Sequence, residues 1–510
     1  MNNQIFTPEA YGAVADGRHN DGAAFWKAID EAAVQGGTVQ LQPNSTYYIA
    51  RKKSHVSSDV GASANMKSTD GGEKVAAIVL DGVDNLMILG ENTTILIDAP
   101  LFFCNINNTR NVTLQGLNFN YRIKPFAGAH TLSIDMEHLT ADIVTDRSLQ
   151  IEDAYDASTF PAYFGVLDRP DGRWHMFITG YDVLDKDTNT YRVHFKQKDK
   201  ATVERVGLLL TTRLIVPMPR IGHRIERAFS IVGNTDFTMK DCNIWSVARF
   251  MFAIFRSEGI MRFENVNIVP EPGDNLPIVG WRDGYHVKEN RAKFIWKNCR
   301  AQGLFDDVFN ISASMLNVQT VYAPDDIDLF WGETKKVYAA LMPGDTLTVI
   351  NVLTGELIGS TSVREVVLQE GSHNRIRLSD PLPGVIAGEH IKVCFDCMVA
   401  PNSEIVDCDF RGTTRFRGPI SIRDSHFYVL RMWIDVYSPY EGPIPASIHF
   451  TNCDFDCDDD HDVYFHLESQ RKGNSGKNQY HLNDVLFDSC RLNQANFETH
   501  PVDKPYVRFI

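Results

Sequence analysis

The 510-residue chain has no apolar run of about 18 residues, so a membrane-crossing helix is not expected. Its start, MNNQIFTPEAYG, lacks the charged and apolar regions of a signal peptide. The expectation is a cytoplasmic protein, or a mature periplasmic or secreted form from which a leader has been removed. Basic residues are in deficit: 50 Lys plus Arg against 65 Asp plus Glu leave a net charge of −15. That balance repels polyphosphates and anionic membrane surfaces, which argues against a nucleic-acid or membrane partner. A glycine-rich phosphate loop and an HExxH motif are both missing, and no cofactor or metal is expected. The nine cysteines are an odd number without a paired framework, and a chain this long needs no disulfide staples; they read as free thiols.

What is present is a repeat. An apolar, mostly β-branched or aromatic strand is followed by a polar pair, a small residue and another apolar position. Copies are NVTLQGLNF (111–119), DFTMKDCNI (236–244), IMRFENVNI (260–268), KFIWKNCRA (293–301), NSEIVDCDF (402–410), ASIHFTNCDF (446–455) and NDVLFDSCRL (483–492). Five of the nine cysteines, Cys242, Cys299, Cys408, Cys453 and Cys490, share the small position. Internal self-similarity of this kind marks stacked architectures, in which equivalent residues of successive coils sit above one another and must fit the same narrow interior. Because the strands are separated by turns and not by long helices, the expected fold is all-β: a right-handed parallel β-helix. A short amphipathic helix is expected at 21–33, with Asp21 as its cap and Phe25, Ala28, Ile29, Ala32 and Ala33 on one face.

Two stretches break the pattern with period-two strands and hairpin turns at LTGE and GSHN, and read as inserted antiparallel β modules. The chain then divides into an N-terminal cap with the first coils (1–126), an inserted module (127–218), central coils (219–319), a second module (320–400) and C-terminal coils (401–510). The segment 57–74, rich in Ser, Gly and Asp, reads as a surface loop or a lid.

The chemistry concentrates in RDGYHV and LFDDVFN: Asp283, then Asp306 and Asp307, with 306 − 283 = 23 residues between the motifs, close to one coil. On successive coils their backbones lie about 4.8 Å apart, so three carboxylates share one patch. Glycoside hydrolysis needs a protonated acid at the leaving oxygen and a second carboxylate that attacks or activates water, and crowding like charges raises one pKa enough to supply the acid. Turn chemistry is the plainer explanation of a DG or DD pair taken singly; both together, one coil apart in the middle of a solenoid, favour a site over turns. A water between acid and base, about 6.5 to 9.5 Å apart, predicts inversion. His286 and Asn310 flank these segments as candidate ligands of sugar hydroxyls, and Arg415 and Arg417 offer forked hydrogen bonds. Trp281, Trp245, Trp331 and Trp433 are candidate stacking platforms, with core packing as the plainer alternative. DFDCDDDHD (454–462) lacks the ligand spacing of a calcium loop, and Cys394 and Cys397 point opposite ways on a strand, so neither is expected to bind metal.

The YGAVADG start, RDGYHV, FDDVFNIS, PGDTLTV and NSEIVDCDFRGTTRFRG, in that order, resemble glycoside hydrolase family 110. The resemblance runs over much of the chain. It implies inverting, exo-acting α-galactosidase activity on a pectin-lyase-like β-helix interrupted by two small β-barrels. It also implies that Asp306 is the general acid while Asp283 and Asp307 hold the water, and that Arg415 and Arg417 belong to an arginine-rich segment of the site. The residues themselves leave the division of roles open. They also leave room for a polygalacturonase-like endo-hydrolase, a polysaccharide lyase or a non-catalytic carbohydrate-binding β-helix. The expected partner is an oligo- or polysaccharide, and the sequence leaves homo-oligomerisation open.

Overall fold

A computed structural model describes residues 4–50, 69–70, 73–74, 76–98, 101–151, 154–156, 164–167, 175–196, 200–218, 227–248, 250–331, 339–435, 441–457, 465–468 and 481–510. Most of the segment read as a loop or lid, and the acidic run from 458 onward, lie outside the described residues. No helix among the described residues is long and apolar enough to cross a membrane.

The repeat folds as a parallel β-helix, with 27 strands among the described residues joined in one hydrogen-bonded array. Each polar pair of the repeat is a corner. Asp241, Asn265, Asn298, Asp407, Asp424, Asn452 and Ser489, the residues just before the small position, all have φ between 52° and 54°. Asn and Asp tolerate this left-handed conformation best among residues with a side chain, because the short polar group bonds locally. The corner turns the chain inward, and the small residue that follows fills the column. Cys299 N–H donates to Cys408 Sγ at 3.3 Å, and Cys408 N–H donates to Ser425 Oγ at 3.2 Å. Ser425 therefore occupies the column too, in a copy of the repeat (Ile420–Arg423 and onward) that the cysteine pattern hides. Cys242, Cys299, Cys408 and Cys453 are buried and Cys490 is half-buried. In the first copy the corner is Gly116, at φ 72°, where a Cβ would come within 2.0 Å of the Gly90 carbonyl oxygen, so only glycine fits.

The helix forms over Gly22–Gln35 and buries Phe25, Ala28, Ile29 and Ala32 across the end of the solenoid. Asp21 does not cap it through its side chain. The carboxylate instead accepts from the amides of Val14 at 2.7 Å and Ala15 at 3.1 Å, tying down the preceding loop.

Both interruptions are excursions between adjacent coils. Strands from Phe126–Asp135 to Leu214–Pro217 form a separate antiparallel sheet whose pairings return to their starting strand, His175–Asp185. On either side of it the solenoid continues in register, Thr113 beside Thr238. The strands from Leu316–Ala323 to Gly388–Phe395 make a closed six-stranded barrel with its own core around Val318, Leu347 and Val393. Beyond it the coils resume, with Ile295 beside Glu404.

The face that concerns function is built from Phe250–Phe255, Tyr285–Lys288, Asp307–Ser314, the end of Asp409–Arg415, His426–Asp435 and Phe465–Glu468. Inward side chains of its successive coils stack: Phe252 on Tyr285 at 5.0 Å and Tyr285 on Phe309 at 5.1 Å between ring centroids. Burying each such ring contributes about 1.5 to 3 kcal/mol, and it fixes the register that carries the outward side chains.

Candidate active site

Tyr285 pairs with Phe309, which places Asp283 directly beside Asp307 in the next coil; the Gly284 amide donates to the Asp307 carbonyl at 2.8 Å. Gly284 leaves room for this, since a Cβ there would come within 2.8 Å of Leu304 and 2.9 Å of the Val308 carbonyl. One oxygen from each of Asp283, Asp306 and Asp307 lies within 4.8 Å of the others. These near oxygens stand closer than the about 6.5 to 9.5 Å between carboxyl groups of inverting enzymes on which the sequence expectation rests; retaining enzymes hold theirs about 5 to 5.5 Å apart. Two oxygens within 4.8 Å of each other can share one water at about 2.7 Å from each.

The three carboxyls have different surroundings. Asp283 and Asp307 are buried, each at 3% exposure, while the Asp306 side chain keeps 29% of its surface. Asp283 is pushed up to about 7, first by burial and then by the Asp307 charge, against the pull of Arg282 and Lys288. Its Oδ2 meets His286 Nδ1 at 2.6 Å. Burial and the Lys288 charge push His286 down to about 3, so the imidazole is neutral and the contact is a hydrogen bond, not an ion pair. Asp307 accepts from Arg415 Nε at 2.7 Å, and Asp306 lies 3.2 Å from Arg282 Nη1. Arg282 and Arg415 thus set positive charge beside Asp306 and Asp307.

Behind the aspartates lies a buried polar network of which sequence reasoning named Asn310 and Arg417 but missed Lys288, Ser312, Asp435 and Glu441. Lys288 bonds Ser312 Oγ at 2.6 Å and pairs with Glu441. Burial opposes ionisation of Glu441, but Lys288 and Arg417 hold its carboxyl well below the usual range. Arg417 is fully buried and reaches Asp435 at 3.4 Å and Glu441 at 3.5 Å. Asn310 Nδ2 lies 3.5 Å from Glu441. Glu441 arrives from far along the chain because the short strand Glu441–Gly442 pairs antiparallel with Ala313 and Ser314, and Gly442 packs where a Cβ would strike Met315 and Cys394 of the barrel side. The alternation of YHVK puts Lys288 on the same face as His286, a signal available in the sequence; Glu441 and Asp435 had none.

The structure therefore brings together Asp283, Asp306, Asp307, His286, Asn310, Arg415 and Arg417. Three of the four candidate tryptophans are engaged with protein instead, and Trp245 is half-buried. Trp281 is 4% exposed in an apolar cluster with Leu276, Ile278 and Phe305, and Trp331 packs on the barrel core. Trp433 lies under Arg415, 5.2 Å from its guanidinium carbon, and stacks on His466 at 3.9 Å. The nine cysteines are free thiols, Cys394 and Cys397 included.

No family model matches the chain. Among curated proteins it is 20% identical over 433 residues to alpha-1,3-galactosidase B of Bacteroides thetaiotaomicron, covering 81% of this chain and 68% of that one. It is 22% identical over 334 residues to alpha-1,3-galactosidase A of Akkermansia muciniphila, covering 62% of this chain and 54% of that one. These relatives agree with the resemblance to family 110 carried by the motifs. Similar solved structures include the Agl-KA catalytic domain (8% identity, all of this chain and 54% of that one, TM-score 0.40). They also include an endo-xylogalacturonan hydrolase from Aspergillus tubingensis (9%, 99% and 88%, TM-score 0.34).

Proposed function

We propose that this chain, a β-helix resembling glycoside hydrolase family 110, is an inverting exo-acting glycosidase that releases a terminal α-linked galactose or related sugar. Glycoside hydrolase activity has the support of the two relatives, both galactosidases by name. The observation that carries the reading is the convergence of Asp283, Asp306 and Asp307 within 4.8 Å on a solenoid face, in three different environments. Asp306, the most exposed, is the acid that protonates the leaving oxygen, which is joined to the solvent-side remainder of the substrate. The buried pair holds the attacking water: Asp307 takes its proton, and Asp283, poised near neutrality and oriented by neutral His286, orients it and shares the charge. No carboxylate then has to attack the sugar, and one displacement by water inverts the anomeric centre. Lys288, Asn310 and Glu441 offer donors and acceptors to the sugar hydroxyls.

The test is a panel of α-galactosides and galactose-terminated oligosaccharides. One terminal monosaccharide should accumulate first, and the Asp→Asn variants at 283, 306 and 307 should each lose most of it. An early ladder of internal fragments supports the endo-hydrolase, unsaturated products support a lyase, and full activity in all three variants removes the site.

A further inference from the structure

We propose that Trp433, backed by His466, is a positioning residue that seats the Arg415 guanidinium on Asp307 from the coil behind it, and so sets turnover without touching substrate. This rests on the function proposed above. The register carries the argument. Arg415 pairs with Trp433, Trp433 with His466, and His466 with Glu498, four equivalent positions on four successive coils. The side chains follow the same column. Arg415 Nε donates to Asp307 Oδ2 at 2.7 Å, and its guanidinium carbon stands 5.2 Å from the Trp433 ring. The imidazole of His466 lies against Trp433 at 3.9 Å and 12°, and its Nδ1 is 3.4 Å from Glu498. Arg415 comes from the coil before Trp433 and His466 from the coil after it, so the two faces of the indole are both covered. A sugar ring cannot stack there.

The physical need for such a column is plain. Arg415 has a long stem with many rotamers, yet its charge serves the aspartates only when the planar fork is held in one orientation. An aromatic face under a guanidinium restricts it to a plane and attracts its charge. The indole in turn would tilt unless something filled its far side, and the flat, half-buried imidazole does so. Burial lowers the pKa of His466, with Glu498 opposing, so the ring stays neutral and adds no second cation beside Arg415. The charged groups that face the buried pair are Arg282 and Lys288 from the coil of Asp283, Asp306 beside Asp307, Arg415 from the next coil and Glu441 beyond it. Of these, Arg415 donates directly to the Asp307 carboxylate, at 2.7 Å.

The experiment compares Trp433→Leu, Trp433→Phe, Arg415→Ala and the Arg415→Ala/Trp433→Leu double variant on an aryl α-galactoside. Trp433→Leu should lower kcat about 10-fold with KM within about twofold, and Trp433→Phe, which keeps a flat ring, should recover to within about threefold of wild type. In the Arg415→Ala background Trp433→Leu should cost nothing more, because the group it positions is gone. Equal losses in the Leu and Phe variants, an unchanged kcat in Trp433→Leu, or a full further loss on top of Arg415→Ala would each overturn the positioning role. A crystal structure of Trp433→Leu gives a readout independent of activity: Arg415 should leave Asp307, and an Arg415 still in place sinks the proposal. A wild-type protein inactive on every α-galactoside would count against the proposed function and leave this structural readout to decide the column.

Discussion

Replacing Asp283 by Asn should make the protein more stable, and more so as the pH rises. In the folded chain burial and the Asp307 charge push Asp283 up to about 7 from 3.8. A carboxyl whose folded pKa lies above its unfolded value binds its proton more tightly in the native state, so stability falls as the pH climbs from about 4 to about 7 and is level above that. A difference of about three pKa units corresponds to about 4 kcal/mol of native-state penalty at pH 8, at 1.36 kcal/mol per unit. By the same linkage less than half of it is already present at pH 5. Asparagine keeps the shape, and its Oδ1 accepts from His286 as the carboxylate does, but it carries no charge to bury. The variant should therefore gain about 2 to 3 kcal/mol on wild type between pH 5 and pH 8. With an unfolding entropy of about 2.1 cal/mol/K per residue, 510 residues turn this into about 2 to 3 °C of Tm. Thermal unfolding of both proteins in matched buffers at the two pH values is the assay. Taking the difference between proteins cancels the titrating groups that do not interact with Asp283. A difference in Tm that is the same at pH 5 and pH 8 would refute the reasoning, because the burial cost would then not be a cost of charge. The same variant should be inactive, so stability and activity move in opposite directions at one residue.

Asp306→Asn keeps the side-chain shape but removes the proton donor, so turnover of substrates with poor leaving groups should drop by roughly 10² to 10⁴ while activated aryl glycosides lose much less; steady-state kinetics on the two substrate types reads the ratio. The acidic limb of kcat/KM in wild type should lie near the Asp283 value of about 7. In Asp307→Asn, removal of the neighbouring negative charge lowers the Asp283 pKa, and the limb of the residual activity should move to lower pH. In native protein Cys242, Cys299, Cys408 and Cys453 should resist a thiol reagent that labels the half-buried Cys397, Cys457 and Cys490 faster, as peptide mapping would show.

Much of the solenoid was legible because its constraints are local. An Asn or Asp at the left-handed corner and a small residue after it recur in Asn298–Cys299, Asp407–Cys408 and Asn452–Cys453. The Ser425 copy shows the limit: the column takes Ser425 and Val266 as well as thiols, so a search keyed to cysteine passes over it. The aspartate trio was legible for the same reason, since the motif spacing is close to one coil; the register pairs Tyr285 with Phe309 and so sets Asp283 beside Asp307. What escaped depends on long-range closure. Glu441 meets Lys288 across 153 residues, through a two-residue strand on the far side of an inserted barrel. Trp281 and Trp433 stand as candidate platforms beside the plainer core reading because an indole in sequence looks the same whether its faces meet sugar or protein. Phe305 and Leu276 cover the first, and Arg415 and His466 the second.

The central claim, that Asp283, Asp306 and Asp307 hydrolyse an α-glycosidic bond by a single displacement, is tested most directly by proton NMR of the first sugar released from an α-galactoside. Water held between the buried pair and delivered opposite the leaving group predicts that the β-anomer appears first and only later mutarotates. The α-anomer appearing first would contradict the account, because retention requires one of these carboxylates to attack the sugar itself.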